Sequence, residues 1–242
     1  MEDQIILVDK PAGISSFGVV AKVRGKLRAE FGRKIKVGHT GTLDPFATGL
    51  LILLTGKMTK KSNEFLKLDK EYIAELKLGY TSTTGDPEGE IRESSGLGPR
   101  PAGPSPRAAG ANSRAAALRN APAPKILEST LQSFIGKIKQ TPPKYSAIKI
   151  NGERAYKLAR KGQDFEIPSR TVEIYRIEIL DYHYPKLTIR VHCSSGTYIR
   201  TLAEDIGKKL GTGAYLTALR RTKIGSYDVA TAIPLSDFIN VI

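Results

Sequence analysis

The sequence predicts an α+β protein with a mixed, largely antiparallel central sheet flanked by helices. Three observations carry this prediction. Apolar and polar residues alternate with period two over long stretches, as at Tyr72, Ala74, Leu76 and Leu78 and again at Leu187, Ile189, Val191 and Cys193. Helical spacing appears only at irregular intervals between those stretches. The regular strand–helix–strand repeat of a parallel sheet is missing, as is a glycine-rich dinucleotide fingerprint.

Taken in order, "QIILVDK" reads as a short apolar strand stopping at Lys10-Pro11, after which Gly13, Ser15 and Ser16 prepare a helix start. Ile14, Val19, Val23 and Leu27 form the stripe of a helix over about residues 15–31. "GLLILLTG" is a compact apolar run bounded by glycines, the pattern of a buried strand, and "EYIAELKLGY" is the alternating strand that follows. "VEIYRIEILDYHY", residues 172–184, is rich in β-branched and aromatic residues and pairs with the half-buried strand "LTIRVHC". "TYIRTLAEDIGKKLG" changes to helical spacing, with Ile199, Leu202, Ala203, Ile206 and Leu210 on one face and Gly211 closing it.

Residues 93–125 differ from everything around them. Leu97 and Leu118 are their only large apolar residues, so the segment cannot offset its ordering entropy by burial. It reads as a disordered, basic insertion in a loop of a single domain spanning residues 1–242.

A chain of 242 residues with 40% hydrophobic content supports one sizeable core. A net charge of +14 suits a polyanionic partner, because each neutralised phosphate releases bound counterions. One cysteine, Cys193, excludes an intrachain disulfide and a cysteine-based metal cluster. The N-terminus "MEDQIILVDK" lacks the features of a secretory signal, and the longest apolar run, "LLILL", is too short to cross a bilayer. The expectation is a cytoplasmic protein with no membrane part.

Asp44, in "GHTGTLDPFATG", is the first candidate for chemistry. Asp before Pro commonly marks a turn. Here Gly38, Gly41 and Gly49 leave room for a ligand to approach, and the strand behind supports the loop. A single fixed carboxylate without metal-ligand neighbours suits nucleophilic or base chemistry. Arg200 falls in the first turn of a predicted helix, where a cation opposes the dipole by about 0.3–1 kcal/mol. A phosphate or a buried carboxylate would compensate it. Tyr72 is either a core residue or a platform for stacking a base. His39 serves equally as a core residue or a ligand contact, and Tyr198 and Leu219 carry no signal from spacing. Arg160, Lys161, Arg220, Arg221 and Lys223 are non-specific phosphate-contact candidates.

"KPAGISS", "VGHTGTLDPFATGLL", "DKEYIAELKLG", "STTGDPEG", "QTPPKYSAIKINGERAYKLARKG", "CSSGTYIRTLAEDIGKKLG" and "LRRTKIGSYDV" occur in this order. Together they resemble the bacterial tRNA pseudouridine-55 synthases of the TruB type, over nearly the whole chain outside the insertion. The resemblance implies a pseudouridine synthase fold and an isomerase that flips a uridine out of the T-loop of tRNA and converts it to pseudouridine. It implies Asp44 as the essential aspartate, Arg200 as its pairing arginine and Tyr72 as the residue stacked on the target base. His39 would help hold the flipped nucleotide, Tyr198 and Leu219 would line the uracil pocket, and residues from about 140 to 168 would close on the RNA. No cofactor and no metal are implied, and the partner is the T-arm stem-loop of tRNA, with a monomer needing no obligate protein partner. The chain departs from the pattern in the insertion and at Thr83, where many members carry aspartate. A complete C-terminal RNA-binding module is not expected after "SYDVATAIPLSDF". Attack at C1′, attack at C6 and a glycal route are all open to the carboxylate, and we favour the last. A non-catalytic RNA-binding protein would explain the charge but not the Asp44 loop. A guide-RNA-dependent synthase would call for an additional RNA-binding domain and protein partners.

Overall fold

The computed structural model describes residues 3–94, 121–146, 148–150 and 152–240. The chain begins with β1 (Ile5–Lys10) and α1 (Ser16–Phe31), followed by β2 (Val37–His39) and β3 (Thr48–Thr55). The Ser15 side chain accepts the Gly18 N–H and caps α1, and Gly32 closes it at φ +67°. A short α2 (Ser62–Leu66) leads to β4 (Lys70–Leu78), β5 (Tyr80–Ser82) and β6 (Ile91–Glu93). After the gap come α3 (Pro124–Gln132), β7 (Gly136–Gln140), β8 (Lys149–Ile150), β9 (Glu153–Arg154) and α4 (Ala155–Arg160). The chain continues through β10 (Arg170–His183), β11 (Lys186–Cys193), α5 (Ile199–Lys209) and β12 (Ala214–Ile224). It finishes with β13 (Tyr227–Asp228), β14 (Ile233–Pro234) and α6 (Leu235–Asn240).

Most of these strands join one mixed sheet in the order β14-β1-β3-β12-β4-β11-β10-β7. Only β1–β14 and β3–β12 pair in parallel, so the expected largely antiparallel α+β architecture is observed. The predicted partnership of "VEIYRIEILDYHY" with "LTIRVHC" is the antiparallel β10–β11 pair.

The two alternating strands β4 and β11 send Tyr72, Ala74, Leu76, Leu78, Leu187, Ile189, Val191 and Cys193 to one face. There they meet Leu127 and Leu131 of α3 and Ile199, Leu202, Ala203 and Ile206 of α5. Leu51 and Leu53 of β3 pack under α1, while Leu50, Ile52 and Leu54 face Phe65 and Ile224 on the other side. Burial on both faces explains why this strand reads as a continuous apolar run rather than an alternation. Cys193 is fully buried, its Sγ 3.7 Å from the Lys70 carbonyl, and burial pushes its thiol up to about 12.

Residues 95–120 of the proposed insertion lie outside the described residues, but its ends are ordered. Glu93 pairs with Tyr80, and Pro124 and Lys125 open α3, whose first turn uses proline where the N–H has no helical partner anyway. No helix among the described residues is long and apolar enough to cross a membrane.

Candidate active site

The first motif of the chain is an anchor for the Asp44 loop. The Lys10 ammonium is buried and donates to the carbonyls of Pro11 (2.8 Å), Ile14 (2.7 Å) and Pro45 (3.1 Å). Desolvation lowers its pKa to about 8, with Asp44 opposing that shift and Arg221 adding to it. The Gly13 N–H bonds the Pro45 carbonyl at 2.8 Å. Ser16 grips Leu43 twice: its hydroxyl donates to the Leu43 carbonyl at 2.9 Å and accepts the Leu43 N–H at 2.8 Å. "KPAGISS" thus immobilises the residues on either side of Asp44.

Asp44 does open a turn, because Ala47 donates its N–H to the Asp44 carbonyl at 3.2 Å with Pro45 next in line. Its side chain is free for other work and turns to α5. Arg200 Nη2 lies 3.3 Å from Asp44 Oδ1. Arg200 Nε lies 3.0 Å from Oδ2, at ion-pair distance though not aligned for a hydrogen bond. Burial raises the Asp44 pKa; Arg200 and Lys10 pull it down, and Asp86 pushes it further up.

Arg200 is held from its other edge. Its Nη1 sits 3.0 Å from Asp86 Oδ2 and 3.1 Å from the Thr84 carbonyl, and its Nη2 donates to the Tyr145 carbonyl at 2.8 Å. Asp86 is fixed in turn by the Thr84 hydroxyl at 2.5 Å and the Glu88 N–H at 3.0 Å. The cation at an unfavourable helix start is therefore compensated by two carboxylates. Asp86 was not singled out from sequence, although "GDP" repeats the Asp-Pro signal of "LDP".

These groups border a cavity of about 260 Å³ whose walls include Asp44, Tyr72, Tyr198, Arg200, Leu219 and Arg221. Asp44 is the sole carboxylate among its lining residues. Five of the six residues to which the resemblance assigns a role thus meet in one cavity. His39 is not among the lining residues; burial and the fields of Arg221 and Arg154 lower its pKa, and its Nδ1 is buried without a hydrogen-bond partner among the described residues. Tyr72 is nearly enclosed, and burial raises its phenol pKa against the opposing influence of Arg221.

Tyr198 occupies the N-cap of α5 with no side-chain cap of its own. Gln140, 1% exposed, holds its backbone from both sides: Nε2 donates to the Tyr198 carbonyl at 3.0 Å, and Oε1 accepts the Tyr198 N–H at 2.7 Å. Arg170 stacks its guanidinium 4.8 Å from the Tyr198 ring centroid and donates to the Gly196 carbonyl. Gln140 and Arg170, which face each other in the β7–β10 ladder, escaped sequence reasoning because their partner lies far along the chain.

The proposed phosphate contacts fare unevenly. Arg221 is 1% exposed and unavailable to a backbone phosphate. Arg220 pairs with Asp9 at 2.7 Å, Lys161 with Glu153 at 2.8 Å and Lys223 with Asp228 at 3.8 Å. Arg160 remains near the Tyr156 ring at 5.8 Å.

A cleft at the seam of the mixed sheet thus holds one carboxylate and its arginine. A family model described as "TruB family pseudouridylate synthase (N terminal domain)" matches residues 27–99 and 109–199, and the "tRNA pseudouridylate synthase B C-terminal domain" model matches residues 200–242. The chain belongs to the TruB family of pseudouridylate synthases.

A relative from Phocaeicola vulgatus named tRNA pseudouridine synthase B is 43% identical over 238 residues, covering 98% of this chain and 92% of its own. A relative of the same name from Ectopseudomonas mendocina is 44% identical over 235 residues, covering 97% of this chain and 68% of its own. Among solved structures, a Cbf5-Nop10-Gar1 complex contains a chain similar at a TM-score of 0.65 and 28% identity, with 98% of this chain covered. This chain spans about half of that one, 53% of its length.

Proposed function

We propose that this enzyme isomerises the uridine at position 55, in the T-loop of tRNA, to pseudouridine, with Asp44 as the essential carboxylate. The observation that carries the reading is the cavity in which the sole lining carboxylate is ion-paired to Arg200 and faces Tyr72. The curated relatives named tRNA pseudouridine synthase B support tRNA as the substrate.

In the reaction the N1–C1′ bond breaks, the base turns, and C5 joins C1′; the C5 proton leaves and N1 acquires one, so product and substrate are isomers. The target base is stacked in a folded loop. Extruding it costs a few kcal/mol, which contacts inside the cavity offset. Tyr72 stacks on the flipped base, Tyr198 and Leu219 close its sides, and His39, one strand away, contacts the displaced loop. Asp44 acts in its ionised form, and Arg200 opposes the desolvation that would otherwise keep it protonated. Neither metal nor cofactor is required by this chemistry.

The enzyme works as a monomer on the isolated T-arm, within a single catalytic domain. The test is an Asp44→Asn variant assayed on a T-arm stem-loop with purified chain. We expect RNA binding to persist and pseudouridine formation to vanish. Turnover surviving in that variant would exclude Asp44, and a parent chain inactive on the bare stem-loop would exclude autonomous action.

A further inference from the structure

Among the described residues Arg221 is the largest fully buried side chain, and it makes no ion pair with a carboxylate there. A buried guanidinium without a counter-ion is costly, and replacing such groups by apolar ones is often neutral or stabilising. Something at this position is served by the charge.

Its location says what. Arg221 lies on β12 with Leu219 two residues before it, so both side chains fall on one face, and both line the cavity. It stands opposite Tyr72 in the β12–β4 ladder and opposite Gly49 in the β12–β3 ladder. Its Nε donates to the Leu50 carbonyl at 2.8 Å and its Nη2 to the Gly41 carbonyl at 3.1 Å. Neutral carbonyls from both ends of the Asp44 loop thus fix the guanidinium without cancelling its charge. The positive field is felt by Lys10, His39, Lys70 and Tyr72. Arg200, by contrast, is consumed by Asp44 and Asp86.

We propose that Arg221 supplies the preorganised positive charge that stabilises the uracil as it is released from C1′. This rests on the Asp44-centred reading above. When N1–C1′ breaks, its electron pair stays with the base, and one negative charge spreads over N1, O2 and O4 until C5 bonds C1′. A fixed cation in the cavity wall costs no reorganisation at that moment. The same demand arises if Asp44 adds at C6, because the electron pair then moves onto O4, so the inference does not depend on the route.

The experiment measures single-turnover rates of N1–C1′ cleavage on T-arm stem-loops carrying uridine or 5-fluorouridine at the target position; fluorine cannot leave C5 as the proton does, so both bases are read at consumption of the N-glycoside rather than at release of pseudouridine. The parent, Arg221→Gln, Arg221→Lys and Asp44→Asn chains are compared, with RNA affinity and thermal melting recorded for each. Arg221→Gln should lose about 10²–10³-fold in rate on uridine with little change in RNA affinity, the range found when one charge-stabilising donor is removed. Fluorine at C5 stabilises the base anion, so the deficit should shrink on 5-fluorouridine. Arg221→Lys, which keeps the charge but not the planar fork, should recover most of the rate. Equal deficits on the two bases, or a lysine variant as slow as the glutamine one, would overturn the proposal and leave Arg221 as a staple of the loop. Should Arg221→Gln fail to fold, the lysine variant's rate and its response to fluorine decide alone. Turnover in Asp44→Asn would remove the underlying site assignment, a result separable from any outcome at Arg221.

Discussion

Arg200 and Asp86 meet through Nη1 and Oδ2 at 3.0 Å, both side chains almost entirely buried, at 5% and 4% exposure. This contact sets the plane of the guanidinium and so aims its Nε and Nη2 at Asp44, which keeps 32% of its side chain open to the cavity. Asp86 therefore acts on Asp44 through the arginine.

Replacing Asp86 by asparagine should leave the arginine charge half-compensated. We expect a stability loss of about 3 kcal/mol, the cost of breaking a buried pair from one side. Turnover should fall at least tenfold. Denaturant unfolding and single-turnover assays check the two effects separately, and unchanged turnover would break the link from Asp86 to Asp44.

The raised pKa of Asp44 has a sign that can be measured twice. In the proposed reaction Asp44 acts in its ionised form, so the acid limb of the pH–rate profile should lie above the ordinary aspartate range. Removing the attractive charge with Arg200→Gln should move that limb further up. For stability, a carboxylate whose folded pKa lies above its unfolded one favours the folded state at low pH and loses that contribution as pH rises through the folded value. Asp44→Asn should therefore melt no lower than the parent at neutral pH, and its advantage should fade on acidification. A profile with an acid limb at the ordinary value contradicts the electrostatic account.

Gly49 and Gly13 make a paired test of the loop. Both have positive φ, +102° and +81°. A Cβ at Gly49 would lie 2.2 Å from the Arg221 carbonyl oxygen, whereas one at Gly13 meets nothing within 4 Å. Gly13→Ala should cost only left-handed strain, about 1–2 kcal/mol. Gly49→Ala adds an overpacking term of about 1–3 kcal/mol and parts β3 from β12. Melting curves in which the two variants are equally destabilised would refute the close-approach explanation.

Gln140→Ala should orphan the N–H and C=O of Tyr198 at the start of α5, at about 1–3 kcal/mol for each group left without a partner. Because Tyr198 forms one wall of the cavity, KM for RNA should rise more than kcat falls. A clean loss of kcat with KM unchanged would point away from a role in shaping that wall.

The alternating strands β4 and β11, the two-sided run of β3 and the helix faces of α1 and α5 were legible because burial imprints its period on local sequence. β12 was not. Bulges between Leu216 and Ala218 and between Arg221 and Lys223 break its alternation, and its buried arginine made it look like a charged surface run. That one strand carries Leu219 and Arg221 and joins the two halves of the sheet through only Arg220–Thr48 and Arg221–Gly49. Asp44 and Arg200 drew attention through local oddities, a proline-bounded carboxylate and a cation at a helix start. Asp86 carried the same Asp-Pro signal as Asp44, Gln140 offered none, and each matters through a partner 114 or 58 residues away.

Cys193 is the protein's single cysteine, and its thiol is both enclosed and pushed up to about 12. Ordinary alkylating reagents at neutral pH will find no thiolate there. A cysteine introduced on the exposed side of the segment bearing Lys144 and Lys161 would therefore be the only site to accept a dye. The native chain is, in effect, already prepared for single-label fluorescence, and a test of whether that segment moves when RNA is added needs nothing deleted first.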